Sequence, residues 1–240
     1  MTSSGPRVLV AIPAWNEELN IGKVLDEIRQ HYPHLNVLVV DDGSQDATAR
    51  VAGESGALVV SHNGNRGYTQ AIQTGRVYAL DHGYDYLVFM DADGQHRPSD
   101  IGRLLDPLVK GDADQVRGSR GLGRYEWKNE PLHLRIPRWI CSTLVSLRTG
   151  RVVTDATSGF KGESRAATQY LVEVYNTSNK IHEGTTNDIE EHLLARKKGL
   201  RLMEVPVVMR ARDSGDTKCY TPKHLLQFPM DLIRVFARNL

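Results

Sequence analysis

The sequence is poor in the features that would place it outside the ordinary globular proteins. It has two cysteines, Cys141 and Cys219, in neither a C-x-x-C pair nor a framework. A disulfide scaffold is thereby excluded, and a reduced, cytoplasmic setting is expected. No run reaches the roughly 18 apolar residues of a membrane span, so none is expected. The opening "MTSSGPR" has no apolar stretch of the kind that marks a secretory leader. Charge is nearly balanced, with 30 Lys and Arg against 29 Asp and Glu, so no global field argues for nucleic acid. Internal repeats and low-complexity segments are also missing. What remains is 240 residues, 40% hydrophobic and 25% charged, enough to bury a substantial core in one domain.

The first half alternates between two periods. "RVLVAIPA", "NVLVVDDGS", "ALVVSH" and "YDYLVFMDAD" are short β-branched or apolar runs that read as buried strands. Between them, "EELNIGKVLDEIRQHY" puts Ile21, Val24, Leu25 and Ile28 at helical spacing. "DATARVAGESG" and "GYTQAIQTGRVYALDHG" read as further helices. Strand–helix alternation predicts a mainly parallel sheet flanked by helices, an α/β fold of Rossmann-like type. Ligands of such sheets sit beyond the carboxyl ends of the strands. The second half is less regular. "SDIGRLLDPLVKG", "IPRWICSTLVSLRTG" and "NDIEEHLLARKKG" read as helices, with Cys141 on a core face. "ADQVRGSR" and "LRLMEVPVVMRARD" read as strands, and "GLGRYEWKNEP" as a mobile loop. The tail "TPKHLLQFPMDLIRVFARNL" reads as a helix broken at Pro229. His31, His34 and His62 read as surface residues.

Acids gather where the predicted strands end. Asp91 and Asp93 lie two apart at the end of the fourth strand and would repel unless a positive partner sits between them. A divalent cation with a diphosphate supplies one, and Gln95 offers a further oxygen. A solvated Asp turn is the other reading. Asp41 and Asp42 end the second strand and suit the N–H and O–H donors of a base or ribose, while Asp46 reads as a helix cap. Pro13 and Trp15 are placed to wall a base. Glu17 reads either as a ribose acceptor or as a first-turn charge.

The segments "PAWNEE", "VVDDGSQDAT", "NRGYTQAIQTG", "DADGQHRP", "GSR" and "DATSGFKG" occur in the order found in family 2 glycosyltransferases of the GT-A fold. Across residues 7–212 the sequence resembles the dolichyl-phosphate mannose synthase and polyprenyl-phosphate glycosyltransferase branch. That resemblance implies one GT-A domain over 1–240, with a nucleotide-binding half at 7–100 and an acceptor-binding half at 101–240. It implies that Asp91, Asp93 and Gln95 bind Mg2+ or Mn2+ and the diphosphate. Pro13, Trp15, Glu17, Asp42 and its neighbour Asp41 would hold the nucleotide. Asn65 and Arg66 would lie near the donor, unless they only form a turn, and Asp155 near the acceptor and sugar. Arg117 and Arg120 flank "GSR", where a guanidinium suits phosphate. Arg212 and Lys218 stand where the branch has a basic phosphate-binding segment, here with longer spacing. Trp15 replaces the usual tyrosine.

The implied reaction takes a hexose from a nucleotide sugar, of the GDP-mannose or UDP-glucose type, and normally inverts the anomeric carbon. Two acceptors remain open. A polyprenyl phosphate is already anionic, whereas a soluble hydroxyl, on a natural product, glycan or modified nucleobase, needs a carboxylate base. Asp188 or Glu190 in "TTNDIEEH" would serve, unless both are helix-terminal charges. The basic, apolar tail either lies at a membrane surface, peripherally, or packs on the sheet.

Overall fold

The chain is described by a computed structural model over residues 5–122, 132–177, 186–210 and 222–237. Strand β1 (Val8–Ala14) leads to helix α1 (Ile21–His31), β2 (Asn36–Asp41), α2 (Thr48–Glu54), β3 (Leu58–Ser61), α3 (Tyr68–Asp81) and β4 (Tyr86–Phe89). Then come α4 (Ile101–Val109), β5 (Gln115–Ser119), α5 (Leu132–Thr149), β6 (Lys161–Ser164), α6 (Arg165–Thr177), α7 (Asn187–Lys198), β7 (Leu202–Pro206) and α8 (Pro222–Ala237). The strands form one mostly parallel seven-stranded sheet in the order β3-β2-β1-β4-β6-β5-β7. Strand β6 alone runs against its neighbours, β4 and β5.

Alternation along the strands assigns each face. Val10, Ile12, Val39 and Val88 pack with Ile21, Val24, Leu25 and Ile28 of α1 and Leu104 and Leu108 of α4. Leu9, Ala11, Leu38, Val40, Leu87 and Phe89 pack with Ala71, Ile72 and Ala79 of α3. The helical spacing read for α1 is thus the spacing of its buried residues. A third cluster lies outside the sheet, where Cys141 and Val145 of α5 meet Ile189 and Leu193 of α7 and Leu232 and Val235 of α8. Cys141 is core, and burial pushes its thiol up to about 12.

Several expectations change. Strand β6 and helix α6 had no apolar signal, since β6 reads only Lys-Gly-Glu-Ser. Helix α8 runs through Pro229 without ending; a proline removes one hydrogen bond, and the buried Leu232 and Val235 hold the following turn. The described residues of α8 bury against α5 and α7 rather than the sheet. Helix α5 begins at Leu132, ahead of the expected Ile136. His62 is not a surface group; its ring is buried between Asp42 and Thr74. Of the loop expected over 121–131, residues 123–131 lie outside the described chain.

Candidate active site

Four parallel strands deliver their carboxyl ends to one rim. The turn after β1 is interlaced with the turn after β2. Asn16 sits at φ +53°, a conformation asparagine tolerates, and its Oδ1 accepts from Gln45 N at 2.8 Å. Asn16 N donates to Ser44 Oγ at 2.9 Å, and Glu17 N to Thr48 Oγ1 at 2.8 Å. Ala47, not the expected Asp46, is the N-cap of α2, and Asp46 accepts from Thr48 N at 2.9 Å from one residue further out. Gly43 makes the next approach possible. At φ +69°, a Cβ there would lie 2.3 Å from the carbonyl carbon of Gly64. Only glycine lets the β2 and β3 turns touch in this way.

That contact defines two different aspartates. Asp42 holds the next turn: Oδ1 accepts from Arg66 N and Oδ2 from Gly67 N, both at 2.8 Å. His62 Nδ1 is 2.7 Å from the same Oδ1, so the imidazole carries its proton there and accepts from Thr74 Oγ1 at 2.9 Å through Nε2. Asp41 is also buried, but its one described hydrogen bond is from Ser44 N to Oδ1 at 3.1 Å. Asp42 therefore fixes the turn at Arg66 and Gly67 while its Oδ2 can still accept a second hydrogen bond, and Asp41 Oδ2 has no described hydrogen bond. Asn65, Arg66, Gly67 and Gln70 line an adjoining cleft of about 460 Å³. Trp15 is exposed at the end of β1, next to the buried Glu17, and Pro13 pairs with Val40 in the ladder.

Asp91 and Asp93 follow β4. Asp91 N donates to His96 Nδ1 at 3.2 Å, and the His96 ring stacks on Phe160 at 4.8 Å. Burial lowers His96 to about 4, so it stays neutral and shapes the turn. Gln95 N donates to Asp93 Oδ1 at 3.0 Å. Gln95 Nε2 donates to Arg210 O at 3.3 Å and Arg210 N to Gln95 O at 2.9 Å. Glu27 grips Arg210 in turn, with contacts of 2.6 and 2.8 Å. The loop is thus braced from α1 before any ligand arrives.

The half-buried Asp91 is pushed up to about 6 by desolvation and by the Asp188 carboxylate; Glu17 adds to the rise, while Arg120 and Lys161 oppose it. Extending the β4–β6 register from Phe89 with Lys161 puts Gly159 opposite Asp91. A Cβ on Gly159 would lie 3.5 Å from Asp91 Oδ1 and 2.8 Å from Tyr68 Oη. The segment "DATSGF" therefore borders the acidic pair. Asp155 is fully buried beneath it and takes Arg120 in a two-point grip, with Nη2 to Oδ1 at 2.7 Å and the backbone N to Oδ2 at 3.1 Å. Burial alone would raise Asp155, but the Arg120 charge and hydrogen bonds bring it below the usual carboxylate range. Asp155 thus positions Arg120, whose charge reaches Asp91.

Asp188 comes from the first turn of α7 and keeps 12% of its side chain exposed. It is held by Lys161 Nζ at 2.8 Å and Arg117 Nη1 at 3.2 Å. Glu190, two residues on, is completely buried. Arg117 is buried too, donating to Ser158 O at 3.1 Å, so it serves this interior array instead of facing the cleft. Arg212 and Lys218 lie outside the described residues.

A match to the model of the family described as "Glycosyl transferase family 2" spans residues 9–171. The chain belongs to glycosyl transferase family 2. It is 32% identical over 217 residues to an undecaprenyl-phosphate mannosyltransferase of Micrococcus luteus, covering 88% of this chain and 87% of the relative. It is 31% identical over 217 residues to a UDP-N-acetylglucosamine–dolichyl-phosphate N-acetylglucosaminyltransferase of Methanococcus voltae, covering 83% and 84%. Its fold matches the crystal structure of glucosyl-3-phosphoglycerate synthase from Mycobacterium tuberculosis in complex with Mn2+, UDP and glucosyl-3-phosphoglycerate. The TM-score is 0.72, identity 22%, and coverage 97% of this chain and 79% of that one. The architecture is GT-A.

This family 2 glycosyltransferase also has site residues that pattern reading missed. Tyr68 opens α3 beside Gly159, and its only sequence signal is adjacency to "NRG". His62 carries no motif. Lys161, Glu163, Glu191 and Arg76 hold Asp188 from below, as a fully buried set. Arg76 donates to Glu163 through Nε at 3.0 Å and Nη2 at 2.6 Å, and its Nη1 is 2.9 Å from Glu191. Lys161 also contacts Glu191 directly. Buried charges of this kind look like surface charges in a sequence.

Proposed function

We propose that this glycosyltransferase moves a hexose, with inversion, from a GDP-mannose- or UDP-glucose-type donor to a polyprenyl phosphate, using Mg2+ or Mn2+. The observation that carries the reading is Asp91, an acid at the rim whose charge is disfavoured by Asp188 and Glu17 and incompletely offset by Arg120 and Lys161. Such a site has room for more positive charge. No cluster of three ligating side chains occurs among the described residues. Asp91, Asp93 and the Gln95 oxygen fit a cation that takes its other positions from diphosphate and water. The chemistry supplied by such an ion is neutralisation of charge on the departing diphosphate. Around it, Asp41, Glu17, Pro13 and Trp15 seat the nucleoside, with Asn65 and Arg66 along the donor cleft. Arg120, oriented by Asp155, faces the phosphates, joined by Arg212 and Lys218. An acceptor phosphate oxygen bonds to the anomeric carbon as the nucleoside diphosphate leaves with the bonding pair. The named relatives act on undecaprenyl phosphate and dolichyl phosphate, which supports this acceptor class. No described helix is long and apolar enough to cross a membrane; in this proposal the enzyme meets its lipid acceptor peripherally, at the cytoplasmic face.

A soluble hydroxyl acceptor is the second reading, favoured by Asp188, a partly exposed carboxylate placed to act as base. Transfer from labelled donor to polyprenyl phosphate, followed by butanol extraction, separates the two. Asp93→Ala is expected to lower metal-dependent transfer about a thousandfold while the thermal transition stays put. Full turnover by that variant would remove the acidic pair from the reaction.

A further inference from the structure

Helix α5 is apolar on two opposite sides, and only one of them is covered. Arg138, Cys141, Ser142 and Val145 are buried. Ile136, Trp139, Ile140 and Leu147 share the opposite arc, about 100° wide at 3.6 residues per turn, and are 50%, 70%, 39% and 76% exposed. On α8, joined to α5 through their common cluster, Met230 and Ile233 are 57% and 68% exposed. Other large exposed hydrophobics, such as Leu19 and Val109, stand singly, as is normal on a soluble surface. A helix apolar on both sides is a buried helix or one whose outer side meets another apolar phase.

We propose that this exposed arc of α5 docks in the interface of an anionic lipid bilayer. Charge selects that occupant. Arg135 and Arg148 flank the exposed arc on either side, Arg151 follows the helix at once, and the 18 residues of α5 include no acidic residue, while Arg138 is buried on the covered side. Basic side chains beside an apolar stripe are the composition of a helix lying in the headgroup region, and tryptophan favours that depth. A second copy of the chain related by a two-fold axis would instead bring the arginines that flank this arc against themselves. The proposal rests on the lipid-acceptor reading for its purpose: an acceptor anchored in a bilayer is met at the bilayer surface.

The test uses the full chain and vesicles of phosphatidylcholine with or without a fraction of phosphatidylglycerol, free of any acceptor. The wild type is expected to sediment with the mixed vesicles and to be released by high salt. The double variant Trp139→Ser, Leu147→Ser is expected to partition at least about tenfold more weakly, since two exposed apolar side chains are lost from the lipid contact. Equal binding by the two proteins, or none by the wild type, overturns the proposal. So does a wild-type dimer that the variant converts to monomer with vesicle binding unchanged, which would make the face a subunit contact. Transfer to a short, water-soluble prenyl phosphate is expected to be the same in both proteins. Its absence in both would defeat the lipid-acceptor reading and leave the vesicle result to stand alone.

Discussion

One side of the sheet changes character halfway across. Under α3 it is lined by Leu9, Ala11, Leu38, Val40 and Leu87, all buried and apolar. Two strands further on, the same side carries Gln115, Arg117, Lys161 and Glu163, equally buried. Cross-strand pairing shows the transition: Leu87 faces Glu163 and Phe89 faces Lys161. The part under α3 is held by hydrophobic burial, which is tolerant and non-directional. The part formed by β6 and β5 is held by Arg76, Arg117 and Lys161 against Glu163, Glu191 and Asp188, where each partner depends on the others. Around Glu191 the three cations overcome desolvation and hold its carboxyl far below the ordinary range. Such an array contributes less to stability than to geometry, because desolvation offsets much of the attraction. Its product is one partly exposed carboxylate, Asp188, fixed at the rim.

The contrast can be broken experimentally. Arg76→Met leaves Glu163 and Glu191 buried without their main cation and is expected to cost about 3–5 kcal/mol in chemical denaturation. Ile72→Val in the apolar part under α3 should cost only about 1 kcal/mol; reversed magnitudes would mean that the charge array is peripheral to stability. Next in size is Asp188→Asn, which removes the array's output without emptying the space. If Asp188 acts as base, transfer should fall about a hundredfold while titration with nucleoside diphosphate is unchanged. Unaltered transfer would leave Asp188 a structural partner of Lys161. Gly43→Ala sharpens the other side of the comparison. A side chain at φ +69° that meets Gly64 backbone should cost about 1–3 kcal/mol and weaken nucleotide binding, read by thermal shift with added UDP or GDP.

The smallest effect concerns acid. Asp155 is depressed in the folded chain. Its pair with Arg120 therefore contributes fully above the ordinary carboxylate value of 3.8 and is lost as pH falls through the lower folded value. Asp155→Asn should flatten the acid limb of the stability profile; an unchanged limb would place the acid-sensitive group elsewhere.

Legibility in the sequence follows the same division. Strands β1 to β4 and helices α1 to α3 could be read because their cores are apolar and periodic. Asp91, Asp93 and Asp41 could be read because each ends such a strand. Strand β6 could not, because a strand whose buried side chains are Lys161 and Glu163 has the pattern of a surface turn. Arg76 falls on the buried side of α3 beside Thr69, Ile72 and Gln73, where mixed polarity blurs the helical period. The burial of His62 against Asp42 was not legible for a related reason. A motif shows that an acid ends a strand, but not that backbone N–H groups 24 and 25 residues later will occupy it.

The reversed direction of β6 has a geometric effect on the rim. A strand that runs backwards starts where its neighbours finish, so the residues just ahead of it arrive beside the last residues of β4. The loop after β4 and the segment before β6 thereby share a single hydrogen-bonded ruler. Sliding β6 by two positions would keep every side chain on its face and yet carry Gly159 about 7 Å away from Asp91. The spacing between Asp91 and the "DATSGF" segment is thus set by strand register, and the ion pairs that lock Lys161 and Glu163 in place act as the pins of that ruler.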